Sequence, residues 1–195
     1  MQPNETHVTP QDAAPELRYV RGQMVPDHGS LNDSLRSLIL EMAGHPPDRV
    51  SNMPSGESYF RNKWLSKNDL HLRPEGCVQK IVAHSLRMAG GFDWPGVARG
   101  HAFRVASMWT IVSQRGMEGS PHSHNGVVSG AYYVDAADCN EEASGAFVIY
   151  GAGGRVVRAV RPESGLLLLF PSGLLHGVKR YESDRSRIVI SLNLV

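Results

Sequence analysis

The chain has 195 residues, 41% hydrophobic and 20% charged, with a formal net charge of +1; that is enough for one sizeable core and too little for two comfortable domains. A near-neutral balance, with no basic arm and no aromatic-interleaved basic groove, argues against nucleic acid as a partner. The longest apolar run, Leu166 to Phe170, falls far below the roughly 18 residues of a membrane span, and the first twenty residues carry neither the basic n-region nor the apolar h-region of a secretory signal.

Cys77 and Cys139 form no CxxC or zinc-ribbon spacing, which points to reduced thiols and a cytoplasmic protein while leaving a disulfide open. Residues 1–28, with Pro3, Pro10, Pro15 and Pro26 among polar neighbours, read as a flexible N-terminal arm. Residues 29–195 read as a single domain, helical support over 29–100 and a strand-rich core over 101–195. In the support, Leu31, Leu35, Leu38, Ile39 and Met42 recur at helical spacing after a cap at Ser30 or Asn32 and stop at Gly44.

Residues 48–73 read as irregular, anchored by Trp64, Leu65 and Leu70, with His71 at the surface. A second helix runs from about Pro74 through Val78, Ile81, Val82, Leu86 and Met88 to Gly90 and Gly91. His84 within it reads as partly buried and satisfied rather than catalytic. Residues 91–100 read as a linker, and the apolar helices are candidates for a homodimer interface.

From His101 the period changes. Strands are expected over 101–114, 127–134, 145–150, 155–160, 166–170, around His176 and over 187–195, joined by glycine-rich turns. Such a count predicts a mainly β fold, a jelly roll or double-stranded β-helix with cupin-like geometry. Asp135, Asp138, Glu141 and Glu142 read as a solvated acidic loop. Arg155, Arg158 and Arg161 read as charges protecting an edge strand, or as an attraction for an anionic substrate.

Two segments carry the chemistry. Side chains two apart in an extended strand share a face, so His122 and His124 converge. A strand halted by Pro171, with Gly173 permitting a tight turn, delivers His176 to the same end of a barrel. Three imidazoles make a plausible site for iron, zinc, copper or nickel; the plainer reading of a His-x-His pair among Gly, Ser and Asn is a solvated turn. On the last strand Arg187, Val189, Ser191 and Asn193 share one face, and Ile188, Ile190, Leu192 and Leu194 the other. If the apolar face packs on core, Arg187 faces a cavity or water and calls for a carboxylate partner; taken alone it reads as an ordinary surface arginine.

The ordered segments HSHNGVVSGAYYV, GLLLLFPSGLLHGV and RIVISLN resemble the 2-oxoglutarate/iron(II)-dependent oxygenases. The resemblance is to a bacterial and phage branch that shows His-x-His, SG-x-YY, FPS-x-x-x-H and R-x-x-x-S-x-N. It implies Fe(II) held by His122 and His176 at the open end of a double-stranded β-helix. It also implies 2-oxoglutarate as cosubstrate, its distal carboxylate on Arg187 with help from Tyr133 and Ser191. The implied reaction consumes dioxygen, releases succinate and carbon dioxide, and hydroxylates a small-molecule or peptide substrate.

This chain departs from the family where the second ligand is usually Asp or Glu and here is His124. Either His124 completes a three-histidine site, or Asp135 swings in while His124 stays outside. An all-imidazole set leaves the full charge of the dication until a dianionic cosubstrate arrives. The spacings Gly116-x5-His122-x-His124 and Gly165-x5-Pro171-x-Gly173-x2-His176 also resemble the two cupin motifs, without the expected glutamate after the first pair and with Arg180 in place of the later Asn. A three-histidine cupin-type dioxygenase or isomerase, or a non-catalytic binding module on the same barrel, are the alternatives. Residues 45–73, 90–100 and the acidic loop are expected to border the mouth and select the substrate.

Overall fold

The computed structural model describes residues 15–44, 51–52, 58–59, 62–137 and 144–195. Within them lie twelve strands: β1 (Arg21–Met24), β2 (Ser51–Asn52), β3 (Ser58–Tyr59), β4 (Lys63–Leu65), β5 (Val105–Ser113), β6 (Gly119–His122), β7 (Val128–Asp135), β8 (Phe147–Tyr150), β9 (Val156–Val160), β10 (Leu166–Pro171), β11 (His176–Val178) and β12 (Arg187–Leu194). Two helices, α1 (His28–Ala43) and α2 (Gly76–Gly90), precede β5. The strands form an eight-stranded sheet, β1-β10-β7-β12-β5-β4-β3-β2, and a four-stranded sheet, β6-β11-β8-β9. Neighbouring strands pair antiparallel. This is the mainly β jelly-roll architecture expected from the strand count.

Alternation along the central strands builds two cores. Leu167, Leu169, Tyr132, Val134, Ile188 and Ile190 face the helices and pack with Leu31, Leu35, Ile39, Val78 and Ile81. Leu168, Phe170, Ala131, Tyr133 and Val189 face the smaller sheet and pack with Phe147 and Ile149. The run LLLLF is therefore uninterrupted because β10 is buried on both faces, not because its period is helical. The buried residues of the helix stripes lie against the chain's own sheet.

Several expectations need correction. Residues 21–24, assigned to a flexible arm, form β1 and pair with Leu166–Leu169; RGQM has little strand propensity, and pairing with an apolar edge decides its conformation. Residues 1–14 lie outside the described residues. α1 starts at His28 behind Asp27, whose φ is 52°, with no side-chain cap. Asn32, a candidate cap, is instead buried and accepts a hydrogen bond from the Tyr132 hydroxyl.

The stretch expected to be irregular contributes β2, β3 and β4, which widen the large sheet beyond β5; Trp64 and Leu70 are buried anchors as expected. Residues 91–100 are no loose linker, because Trp94 is buried and its indole N–H donates to the Ala89 carbonyl at 2.8 Å. β9 is an edge strand with Arg155, Arg158 and Arg161 exposed, which fits edge protection. Cys77 is a free thiol, and Cys139, Asp138, Glu141 and Glu142 lie outside the described residues. Among the described residues no helix is long and apolar enough to cross a membrane.

Candidate metal and cosubstrate pocket

The mouth between the sheets gathers three imidazoles. His176 opens β11 and pairs across the small sheet with His122 at the end of β6. His124 lies beyond that strand, its backbone N–H donating to the Ser172 carbonyl at 2.8 Å. Ring centroids stand 4.4 Å apart for His122–His176, 5.0 Å for His122–His124 and 5.1 Å for His124–His176. One nitrogen from each ring lies within 4.8 Å of the others. The solvated-turn reading of His-x-His is overturned by this convergence.

Hydrogen bonding orients the rings. His122 Nδ1 lies 2.8 Å from the Ser120 carbonyl and His176 Nδ1 2.8 Å from the Leu174 carbonyl. A carbonyl only accepts, so each Nδ1 donates and Nε2 is the ring nitrogen that the backbone leaves free. Burial pushes the His176 pKa down to about 4, against the Leu174 carbonyl, with His122 and His124 adding to the depression. Burial also lowers His124, with His122 contributing. At neutral pH both are therefore neutral imidazoles rather than cations. Phe147 stacks on His176 at 5.1 Å and Phe170 meets it edge-on at 4.7 Å, fixing the ring within an apolar wall.

Deeper in the same cavity, of about 210 Å³, lies Arg187. Its backbone pairs with Ser113 on β5, and only 2% of the residue is exposed. The guanidinium carbon sits 5.3 Å from the centre of the Tyr133 ring. Burial works against its charge, and Tyr133 and Tyr181 oppose that effect. Nε has no hydrogen-bond partner, and among the described residues no carboxylate lines the cavity. A buried cation with no carboxylate beside it is costly, and here only the Tyr133 and Tyr181 side chains offset that cost. The surface-arginine reading of Arg187 is thereby corrected.

Ser191 and Tyr133 line the same cavity, as the sequence led one to expect. Sequence reasoning missed Ser113, which is fully buried, lines the cavity beside Arg187 and leaves its Oγ unpartnered. Its signal was a polar residue at the end of the β5 face that also presents Trp109 and Ile111. Asp135, the alternative ligand, is at the far end of β7. Its carboxylate lies 3.4 Å from both Arg36 and Arg185 and accepts from the Ala137 N–H at 2.8 Å. It is an ion-paired latch, neither a solvated charge nor a member of the imidazole cluster.

Residues 107–193 match the model of the family described as "Putative 2OG-Fe(II) oxygenase". No curated protein matches the sequence. Among solved structures, a prolyl hydroxylase from Trichoplax adhaerens, in complex with a hypoxia inducible factor peptide fragment, aligns with TM-score 0.64 at 14% identity, covering 89% of this chain and 81% of that one. HygX from Streptomyces hygroscopicus with nickel, 2-oxoglutarate and hygromycin B aligns with TM-score 0.60 at 12% identity, covering 90% and 82%. A viral collagen prolyl hydroxylase from Paramecium Bursaria Chlorella virus-1, in its 2-oxoglutarate complex, aligns with TM-score 0.60 at 12% identity, covering 90% and 95%. At such identities these likenesses speak for the fold, and the family match and the imidazole cluster speak for the chemistry. The segment that matches this family model, residues 107–193, is also the segment that carries the three converging imidazoles.

Proposed function

We propose that His122, His124 and His176 hold Fe(II) through their Nε2 atoms and that Arg187 receives the distal carboxylate of 2-oxoglutarate, with the Tyr133, Ser191 and Ser113 hydroxyls around it. The observation that carries this reading is the buried Arg187 with an unpartnered Nε on the cavity shared with three imidazoles. A planar fork of donors suits a carboxylate. A cupin-type dioxygenase has no use for such a cation, which places the oxygenase ahead of that alternative.

Iron and 2-oxoglutarate, when bound, supply oxidation of a substrate C–H bond by dioxygen, with release of succinate and carbon dioxide. The chain's part is to position and to keep water out. Phe147 and Phe170 hold the His176 ring and dry its surroundings. Trp109, 5.9 Å from the His124 ring, and Leu65 and Ile111 form an apolar wall at the mouth, where the substrate group to be oxidised is received. No side chain is asked to act as a general base.

Because, among the described residues, no carboxylate joins the imidazoles, retention of the metal leans on the dianionic cosubstrate. The substrate is a small molecule or peptide, the two kinds of compound seen with HygX and with the Trichoplax enzyme, hydroxylated in a cytosolic setting that keeps Cys77 reduced. The test is anaerobic reconstitution with Fe(II) and 2-oxoglutarate, then addition of dioxygen with candidate substrates. Succinate formation that stops with Arg187→Ala is expected; no 2-oxoglutarate binding by the Fe(II)-loaded protein overturns the proposal.

A further inference from the structure

Three short motifs of the sequence each contain a polar residue that neither the imidazoles nor the cosubstrate pocket accounts for: Ser129 of SG-x-YY, Ser172 of FPS, and Asn193 of S-x-N. They meet in space. Ser129 Oγ lies 2.8 Å from Ser172 Oγ and donates to Asn193 Oδ1 at 2.7 Å. Asn193 Nδ2 in turn donates to Ser107 Oγ at 3.0 Å. Since the Ser129 proton goes to Asn193, Ser172 donates to Ser129, and the whole chain runs in one direction across the ends of β10, β7, β12 and β5. Ser129 and Ser172 are each 1% exposed.

The end of this chain at Ser172 grips the loop that carries His124. The Ser172 carbonyl accepts from the His124 N–H at 2.8 Å, and the Ser172 N–H donates to the Val127 carbonyl at 3.1 Å. Between these two bonds Gly126 has φ +125°, and a Cβ there would stand 3.0 Å from the Leu194 carbonyl oxygen and 3.3 Å from Ser172 Oγ. The loop is thus clamped against Ser172 with no room for a side chain at its middle. Ser172 also belongs to the turn that leads to His176: the Leu174 N–H donates to the Pro171 carbonyl at 3.0 Å, and the Leu174 carbonyl receives His176 Nδ1. One residue therefore touches both imidazole-bearing segments, and His124, which sits on no strand, is located through it.

We propose that Ser129, Ser172 and Asn193 are positioning residues: their hydrogen-bond chain fixes the His124 loop relative to His176 and so makes His124 the third ligand. The proposal rests on the three-histidine reading above, and its test separates the two. The first measurement needs no metal. Hydrogen exchange of residues 123–127 in the metal-free full chain is expected to quicken at least tenfold in Ser129→Ala, with β8 unchanged. The second uses Co(II) as the probe, with affinity and visible spectrum recorded.

Ser129→Ala is expected to weaken Co(II) binding about tenfold, in the range seen when partners of a metal-ligating histidine are removed, and to shift the spectrum toward that of His124→Ala. In the double variant the two losses overlap instead of multiplying. A role confined to stability would lower the melting temperature and leave the spectrum unmoved. Unchanged exchange at 123–127, or full multiplication of the losses, overturns the proposal. Failure of the wild type to bind Co(II) would overturn the three-histidine reading, while the exchange result still decides the positioning role. Should Ser129→Ala not fold, Asn193→Ala, at the half-buried end of the chain, serves the same cycle.

Discussion

On β12 one backbone serves two environments. Ile188, Ile190, Leu192 and Leu194 meet the helices, whereas Arg187, Val189 and Ser191 border the cavity. On the helix side the buried unpartnered atoms include the Ser85 Oγ; on the cavity side they include the Arg187 guanidinium Nε. A protein interior closes over apolar surface because burial stabilises it, but it leaves a cation without a carboxylate only where one arrives from outside. The first face is finished by folding, and the second leaves Arg187 Nε for the ligand proposed above.

The sharpest way to break that contrast is Arg187→Met. Removing one partner of a buried charge pair weakens binding by about 4 kcal/mol, roughly a thousandfold in Kd for 2-oxoglutarate measured by calorimetry on the Fe(II)-loaded, oxygen-free protein. The same change relieves an uncompensated charge, so the ligand-free protein is expected to gain about 1 kcal/mol in urea unfolding. Loss of stability without loss of binding would mean that Arg187 belongs to the core. Ile190→Ala should do the reverse. It opens a cavity under the helices and costs about 3 kcal/mol of stability, while the Kd for 2-oxoglutarate in the folded protein stays within about twofold.

How far the sequence displayed these two faces follows from the range of the interactions. The alternation of the last strand is local, and it set Arg187 and Ser191 on one face and four aliphatics on the other, without deciding whether the first face met a cavity or water. His122, His124 and His176 were readable because residue type and spacing alone suggest a shared ligand. β1 was not readable, since RGQM becomes a strand only against Leu166–Leu169. Neither was the Ser172–Ser129–Asn193 chain, whose members are isolated serines and an amide separated by 43 and 64 positions. Asp135 looked like part of an acidic loop because its partners, Arg36 and Arg185, lie 99 and 50 positions away.

The imidazoles sharpen the comparison through pH. Unfolded, His176 titrates near 6.5; folded and metal-free, burial lowers it to about 4. The unfolded chain therefore binds more protons between these values, so its contribution to stability is full above about pH 6.5 and is lost as pH falls toward about 4. A loss of about 1–2 kcal/mol is expected by pH 5, read from urea midpoints of the metal-free protein, and His176→Leu should flatten that part of the profile. An identical slope in His176→Leu would show that other groups govern it.

The smallest effect concerns the turn ahead of His176. Gly173 was expected to be needed there, yet its φ is not positive and a Cβ would meet nothing within 4 Å. The turn is made instead by the Leu174 N–H bonding to the Pro171 carbonyl and by Ser172 buried beneath it, contacts that Gly173 does not share. Gly173→Ala should therefore restrict the unfolded chain without straining the folded one, adding about 0.5 kcal/mol of stability. Gly126→Ala, where φ is +125° and the Leu194 carbonyl oxygen would be 3.0 Å away, should lower stability and loosen the His124 loop. If Gly173→Ala instead weakened metal binding as Gly126→Ala does, the turn itself, rather than the clamp on Ser172, would be what holds the imidazoles in register.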